Sequence, residues 1–335
     1  MNSEFTRDSF VLVSDYVKPN TGKDVSDALQ ALILNNPQRV LFFPDGEYIL
    51  SKPICTPANP EHAVSLRLSN FAIIKAMDGW DNEEALIRLG AAEPFNTIYV
   101  NGSNYYLTGG IIDGNGVANG ISIDSGRETR VDNVSIKHTK IGLHIKLGAN
   151  SGSSDADICN VNIVGIGGPD SIGVLVEGMD NTLTNMRIAS VQIGVKLVRG
   201  GNYLRNIHPL YGGTQYYADS MAFCDLSGGN WYDFCYSDQF CTGFFLKAGS
   251  RSICHNCFCF WYHTVPVAEI GFRTEGEFNG LLSNCKVSFR RDAVNTSFLA
   301  GAEGGCGSIE NPYFDEDRSV DKCYQNYLKG RVLHP

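Results

Sequence analysis

The chain has 335 residues, 43% of them hydrophobic and 19% charged, which is enough to bury a large core and unlike the composition of a disordered segment. Its formal net charge of -9 gives no electrostatic pull toward nucleic acid or an anionic membrane, and no apolar run is long enough to span a bilayer. Eleven cysteines, scattered from Cys55 to Cys323 without framework spacing, fit reduced, buried thiols and a reducing compartment better than a disulfide scaffold.

The first eight residues, Met1 to Asp8, are polar and carry no basic start followed by an apolar run. The expectation is a cytoplasmic protein, or an extracellular or phage-borne one if a leader has been removed. From Asp24 to Asn35 the apolar residues Val25, Ala28, Leu29, Leu32 and Ile33 fall at helical spacing, with Asp24 or Ser26 as N-cap and Asn35-Asn36-Pro37 as the stop. One short amphipathic helix is expected there. Arg39 to Phe43, the turn Pro44-Asp45-Gly46 and Glu47 to Leu50 then read as strand, turn and strand.

Farther on, two phrases alternate. Gly-apolar-x-apolar recurs at Gly120, Gly142, Gly173, Gly194 and Gly243, and Asn-apolar-x-apolar at Asn133, Asn160, Asn185, Asn206, Asn256 and Asn284. Each phrase has period 2, so each is a short strand with one face in a core and one in solvent. One round takes 22 residues from Gly120 to Gly142, 31 to Gly173 and 21 to Gly194. That is the repeat of a solenoid, since a lone coil cannot bury its apolar face and stacked coils can. Gly suits a sharp corner or a tight backbone approach. Asn can satisfy turn groups and stack on the next coil's Asn as a ladder. The loops 149–157 and 212–220 are polar or aromatic and are the places to look for function. The predicted helix would cover the open end of the stack, shielding apolar core and unpaired strand edges.

The opening segments Asp15-Tyr16-Val17, Asp24 to Ala31 and Val40 to Ile49 resemble the N-terminal cap and first coil of the pectate-lyase superfamily. The resemblance implies an all-β fold, a right-handed parallel β-helix with a short N-terminal capping helix. The expected organisation is a single domain over 1–335, with cap and first coil to about 50, stacked coils over about 51–310 and a C-terminal cap over about 311–335. The superfamily hosts lyases, glycoside hydrolases, fructan-transferring enzymes, epimerases and adhesins, so fold does not fix reaction. Gly110 to Gly116 resembles a segment that is structural in polygalacturonases, and no catalytic role passes to Asp113. Where such folds resemble tailspikes or fructan enzymes, a side-by-side homotrimer is common.

Stacking the Asn phrases gives one outward column: Ser135, Asn162, Arg187, His208, Cys235, Phe258, Lys286 and Tyr313. Polar, basic and aromatic side chains on a flat parallel sheet, with about 4.8 Å between coils, suit a sugar-binding groove. The densest part is Asn206 to Tyr211 with Tyr236 to Gln239, approached by Trp231 and Tyr232. Aromatics stack on sugar faces, and carboxylates and imidazole move protons. The expected catalytic residues are Asp238, His208, Asp233 and Asp225; the expected substrate-binding residues are Arg187, Tyr211, Trp231, Tyr236, Lys286, Arg290 and Tyr313.

Glycoside cleavage needs two carboxyls roughly 5 to 10 Å apart, which Asp238 with Asp225, Asp233 or Asp315 would supply. A lyase needs a base and a charge stabiliser, for which Asp238 with Lys286, Arg290 and Arg291 are candidates. The leading expectation is a bacterial or phage polysaccharide- or oligosaccharide-processing enzyme, a glycosidase or glycan-transferring enzyme ahead of a lyase. A non-catalytic carbohydrate-binding or adhesin β-helix is the competitor. No cofactor and no metal are expected. Cys257 and Cys259 occupy inward slots of an Asn phrase, which speaks against a zinc site at Cys254-His255-Asn256-Cys257, and Asp315-Glu316-Asp317 is a minor calcium candidate. The expected partner is a carbohydrate, with no nucleic acid and no membrane.

Overall fold

A computed structural model describes residues 10–93, 95, 105–147, 153–212, 217–262, 269–289 and 296–314. The chain is all-β, a right-handed parallel β-helix whose strands pair in three parallel series, one for each face of a coil. Two units are distinguished by packing: residues 1–166 with 173–182, and residues 167–172 with 183–335.

In the first unit, the repeat begins with Arg39–Phe43 on the first face, Gly46–Leu50 on the second and Ile54–Pro57 on the third. Inward residues stack from coil to coil: Leu41, Leu66, Leu107, Val131 and Ile158 on the first face. Tyr48, Ile74, Ile112, Ile136 and Ile163 do so on the second. Ile54, Ile87, Ile121 and Leu143 do so on the third. All of these are buried, so the period-2 pattern is spent on one continuous interior.

The expected helix forms over Ser26–Leu34 and buries Leu29, Leu32 and Ile33. It packs against Ile54–Pro57, the terminal strand of the third face. There the Gln30 side-chain amide donates to the Cys55 carbonyl at 3.0 Å, and its oxygen accepts from the Cys55 N–H at 2.7 Å. A side chain thus pairs both backbone groups of an edge that would otherwise be open.

The second unit includes the strand Thr182–Ala189 from Leu183 onward and then Tyr203–Leu210, which runs through the corner from the first face to the second. Its third face is aromatic inside: Phe223, Phe244 and Phe272 stack with centroids 4.5 and 5.0 Å apart.

Both repeated phrases have a physical cause. The corner between first and second faces requires a left-handed residue, and Asn133, Asn160, Asn185, Asn206, Asn256, Asn284 and Asn311 all have φ between 46° and 56°. The Asn206 amide donates to the Asn185 carbonyl oxygen at 2.9 Å, and Asn311 to Asn284 at 3.3 Å. The repeated glycines sit inside the third-face strands, where crowding demands them: a Cβ on Gly142 would lie 2.7 Å from the Gly173 carbonyl oxygen and 2.6 Å from Ile163.

Among the coils from Asn133 to Asn311, one departs from the pattern. Its left-handed corner is Phe234, with φ +51°. The outward residue two places on is therefore Tyr236, which pairs with Phe258 and through it with Lys286 and Tyr313. The expected column member Cys235 is corrected by one position: it points inward and is fully buried. No Asn stands at that corner to set the frame, and a one-residue shift reverses the face.

Candidate active site on the second unit

Five outward residues of the second face form a ladder. The imidazole of His208 stacks on the Tyr236 ring at 4.1 Å with 16° between planes, and Tyr236 stacks on Phe258 at 4.9 Å. The Lys286 ammonium lies 5.3 Å from the Phe258 centroid and 4.5 Å from that of Tyr313. Arg187 is exposed and stands two residues past Asn185, as His208 stands two past Asn206, so the Asn185–Asn206 hydrogen bond sets the two in neighbouring coils.

Beside this ladder lies Asp238, paired in register with Leu210 of the coil before. The Tyr236 hydroxyl donates to Asp238 Oδ2 at 3.3 Å, and His208 Nε2 approaches the same oxygen at 3.6 Å. Burial pushes the Tyr236 phenol well above its ordinary value, and the Asp238 charge adds to the shift, so the phenol is held protonated. Among the described residues, His208 Nε2 and Asp238 Oδ1 are buried with no hydrogen-bond partner. An orphaned buried polar atom costs about 1–3 kcal/mol, and two in one cluster make it a candidate site.

The other expected residues are not gathered here. Trp231 and Asp233 lie on the first face, across the Phe234 corner from Asp238. Asp233 accepts from the Tyr203 hydroxyl at 3.5 Å, has His255 Nδ1 at 3.2 Å and has Arg205 Nε at 3.6 Å. Asp225 is corrected outright as a catalytic candidate, being fully buried. Its Oδ1 accepts from the Ser227 and Gly228 backbone N–H groups, the Ser227 hydroxyl and the Asn230 amide. Its Oδ2 accepts from the Tyr232 and Ser252 hydroxyls at 3.1 and 2.6 Å. No glycan can reach a carboxylate so enclosed. Tyr211 is corrected as a sugar contact for the same reason: it is 6% exposed, with its ring against Phe240. Arg290, Arg291 and Asp315-Glu316-Asp317 lie outside the described residues.

Sequence reading missed Arg205, Phe234 and His255. The only signal for Phe234 was that an aromatic replaced the repeated Asn. Cys254 and Cys257 point into the core while His255 points out toward Asp233, so these side chains diverge and cannot share an ion. Burial pushes the Cys257 and Cys259 thiols well above their ordinary values. Among the described residues no cluster of three or more His, Cys, Asp or Glu could hold a metal.

No protein-family model matches this chain. No curated protein matches it either. Among solved structures it is similar to the tailspike protein of E. coli bacteriophage HK620 in complex with pentasaccharide, with TM-score 0.65 and 11% identity over 93% of this chain and 64% of that one. It is similar to ORF18 of Geobacillus virus E2, with TM-score 0.61 and 13% identity over 91% of this chain and 62% of the other. An alginate lyase from Paenibacillus sp. FPU-7 gives TM-score 0.59 and 14% identity over 83% of this chain and 96% of the lyase. The chain thus spans less than two thirds of the two phage proteins. At these identities the likeness is one of fold, the right-handed parallel β-helix of the pectate-lyase-like type.

Proposed function

We propose that this pectate-lyase-like β-helix is a polysaccharide-processing enzyme that breaks a glycan at the His208–Tyr236–Asp238 cluster. The observation that carries the reading is that cluster: an imidazole, a protonated phenol and a carboxylate oxygen meet within 3.6 Å, with two buried polar atoms unpartnered. The three groups can take one proton and give another.

The geometry favours elimination over hydrolysis. Hydrolysis by two carboxyls needs a partner for Asp238, and of the candidates among the described residues Asp225 is in the interior and Asp233 on another face, Asp315 lying outside them. Elimination asks instead for a base at the carbon beside a uronate carboxylate, an acid for the leaving oxygen and a cation for the developing charge. His208 serves as base and the raised Tyr236 phenol as acid, with Arg187 in the coil next to His208 as cation. Lys286 extends the groove toward the next sugar. Similarity to an alginate lyase and to a pentasaccharide-binding tailspike supports a glycan as substrate.

The full chain is to be incubated with alginate, polygalacturonate and acidic capsular polysaccharides, following both new reducing ends and the ultraviolet absorbance of unsaturated uronates. The expected result is both signals together on one polymer, with Asp238→Asn and His208→Ala each slower by about 100-fold or more. Reducing ends without the chromophore restore the hydrolase reading. Binding without turnover makes the chain a non-catalytic carbohydrate-binding protein. Wild-type rates in both variants overturn the site.

A further inference from the structure

We infer that the first face of the second unit carries a separate subsite for neutral pyranose units, built by Trp231 and Phe234 on either side of Asp233. The inference rests on the glycan reading above but on none of the residues of the catalytic cluster.

The case begins with two rings that the fold does not need outside. Trp231 is 46% exposed and Phe234 54% exposed, whereas the other two tryptophans, Trp80 and Trp261, are buried. Phe234 is costly in two further ways. It holds a left-handed backbone that a bulky residue resists, worth about 1–3 kcal/mol. It also ends the side-chain amide ladder that joins Asn185 and Asn206 in the coils before it. A position that gives up stability to display an aromatic ring is placed for contact with something apolar.

Between the rings stand the polar groups that such a contact needs. In register across three successive coils lie Arg205, Asp233 and His255, about 4.8 Å apart per coil. Tyr203 precedes Trp231 in the adjoining column and reaches Asp233 with its hydroxyl. One carboxylate is met by one guanidinium and one imidazole, so the patch offers acceptors and donors for hydroxyls with little net charge to select an ion. Apolar ring faces flanking balanced hydrogen-bonding groups match the two faces of a neutral hexose, whose C–H surface lies on an aromatic and whose hydroxyls bond at its rim. The uncharged character contrasts with the second face, where Arg187 and Lys286 suit an acidic sugar. A polymer mixing neutral and acidic units would use both.

Trp231 is the one exposed tryptophan, so its fluorescence reports on this subsite directly. The full chain is to be titrated with maltohexaose, cellohexaose and β-galactohexaose, with oligogalacturonate as the acidic comparison. The expected result is a shift of tryptophan emission with at least one neutral oligomer and a smaller one with oligogalacturonate. The shift is expected to persist in Asp238→Asn, which separates it from the catalytic cluster. By calorimetry, Trp231→Ala and Asp233→Asn are expected to bind that oligomer about tenfold more weakly. Phe234→Asn is the folding control as well as a test: Asn suits the corner, so the variant melts at or above the wild-type temperature while losing affinity. If no neutral oligomer moves the emission, or if Phe234→Asn and Asp233→Asn bind as tightly as wild type, the subsite is overturned. Absence of turnover with emission shifts intact would defeat the enzymatic proposal and leave this one standing.

Discussion

Asp225 illustrates how far a residue's chemistry is decided by its surroundings. In the sequence it is one acid among several near an aromatic cluster. In the fold it closes the third-face strand Met221–Asp225 and is held by donors from Ser227, Gly228, Asn230, Tyr232 and Ser252. Ser252 belongs to the following coil, so no local window could have revealed the arrangement. Asp225→Asn replaces an acceptor with an amide donor facing groups that are already donors. A loss of about 3 kcal/mol is expected, seen as a lower urea midpoint at unchanged slope. Midpoints that agree within error would show that the network carries no such weight. The same gap in local information explains why Arg205 and His255 were overlooked: their bond to Asp233 joins three coils.

At the scale of the element, much more was legible. The helix ends where Asn35 was expected to stop it, and both phrases became strands because period 2 needs only near neighbours to be read. The register failed where a phrase lost its marker, at Phe234. Asp24 shows an element tied to another by charge. Its carboxylate accepts from the Ser26 N–H at 3.0 Å at the helix start, and from the N–H and hydroxyl of Ser51, at 3.0 and 2.6 Å, after Gly46–Leu50. Burial alone would raise its pKa, yet these hydrogen bonds win and bring it from 3.8 down to about 2. Because the folded value lies below the unfolded one, the stabilisation is present in full above the unfolded value and is lost as the pH falls through about 2. Asp24→Asn is therefore expected to melt slightly below wild type near neutrality, with a gap well under about 1 kcal/mol because the group is solvent-screened. That gap should close in melts taken toward pH 2. A gap that is constant with pH would assign the effect to hydrogen-bond geometry and not to charge.

For the molecule as a whole, the class of fold was readable and the chemistry was not. Alternation and repeat length fix a stack of coils, whereas a site is assembled from outward residues whose identity nothing in the repeat constrains. Among the described cysteines of the second unit, Cys224, Cys235, Cys241, Cys254, Cys257, Cys259 and Cys285 are buried and Cys306 is exposed. Alkylation of the native chain, mapped by mass spectrometry, is expected to label Cys306 quickly and these seven buried thiols only after unfolding. Rapid native labelling of Cys257 or Cys259 would mean that the coils open far more readily than their packing implies.

The interrupted Asn ladder has a consequence for how such a chain can change. Inward positions are held by the coil above and the coil below, but an outward position answers to almost nothing in the interior. Stability and recognition are thus written in alternate letters of the same strand. Substitution at one outward position can redraft what a coil presents while the inward text that keeps the stack together stays as it is.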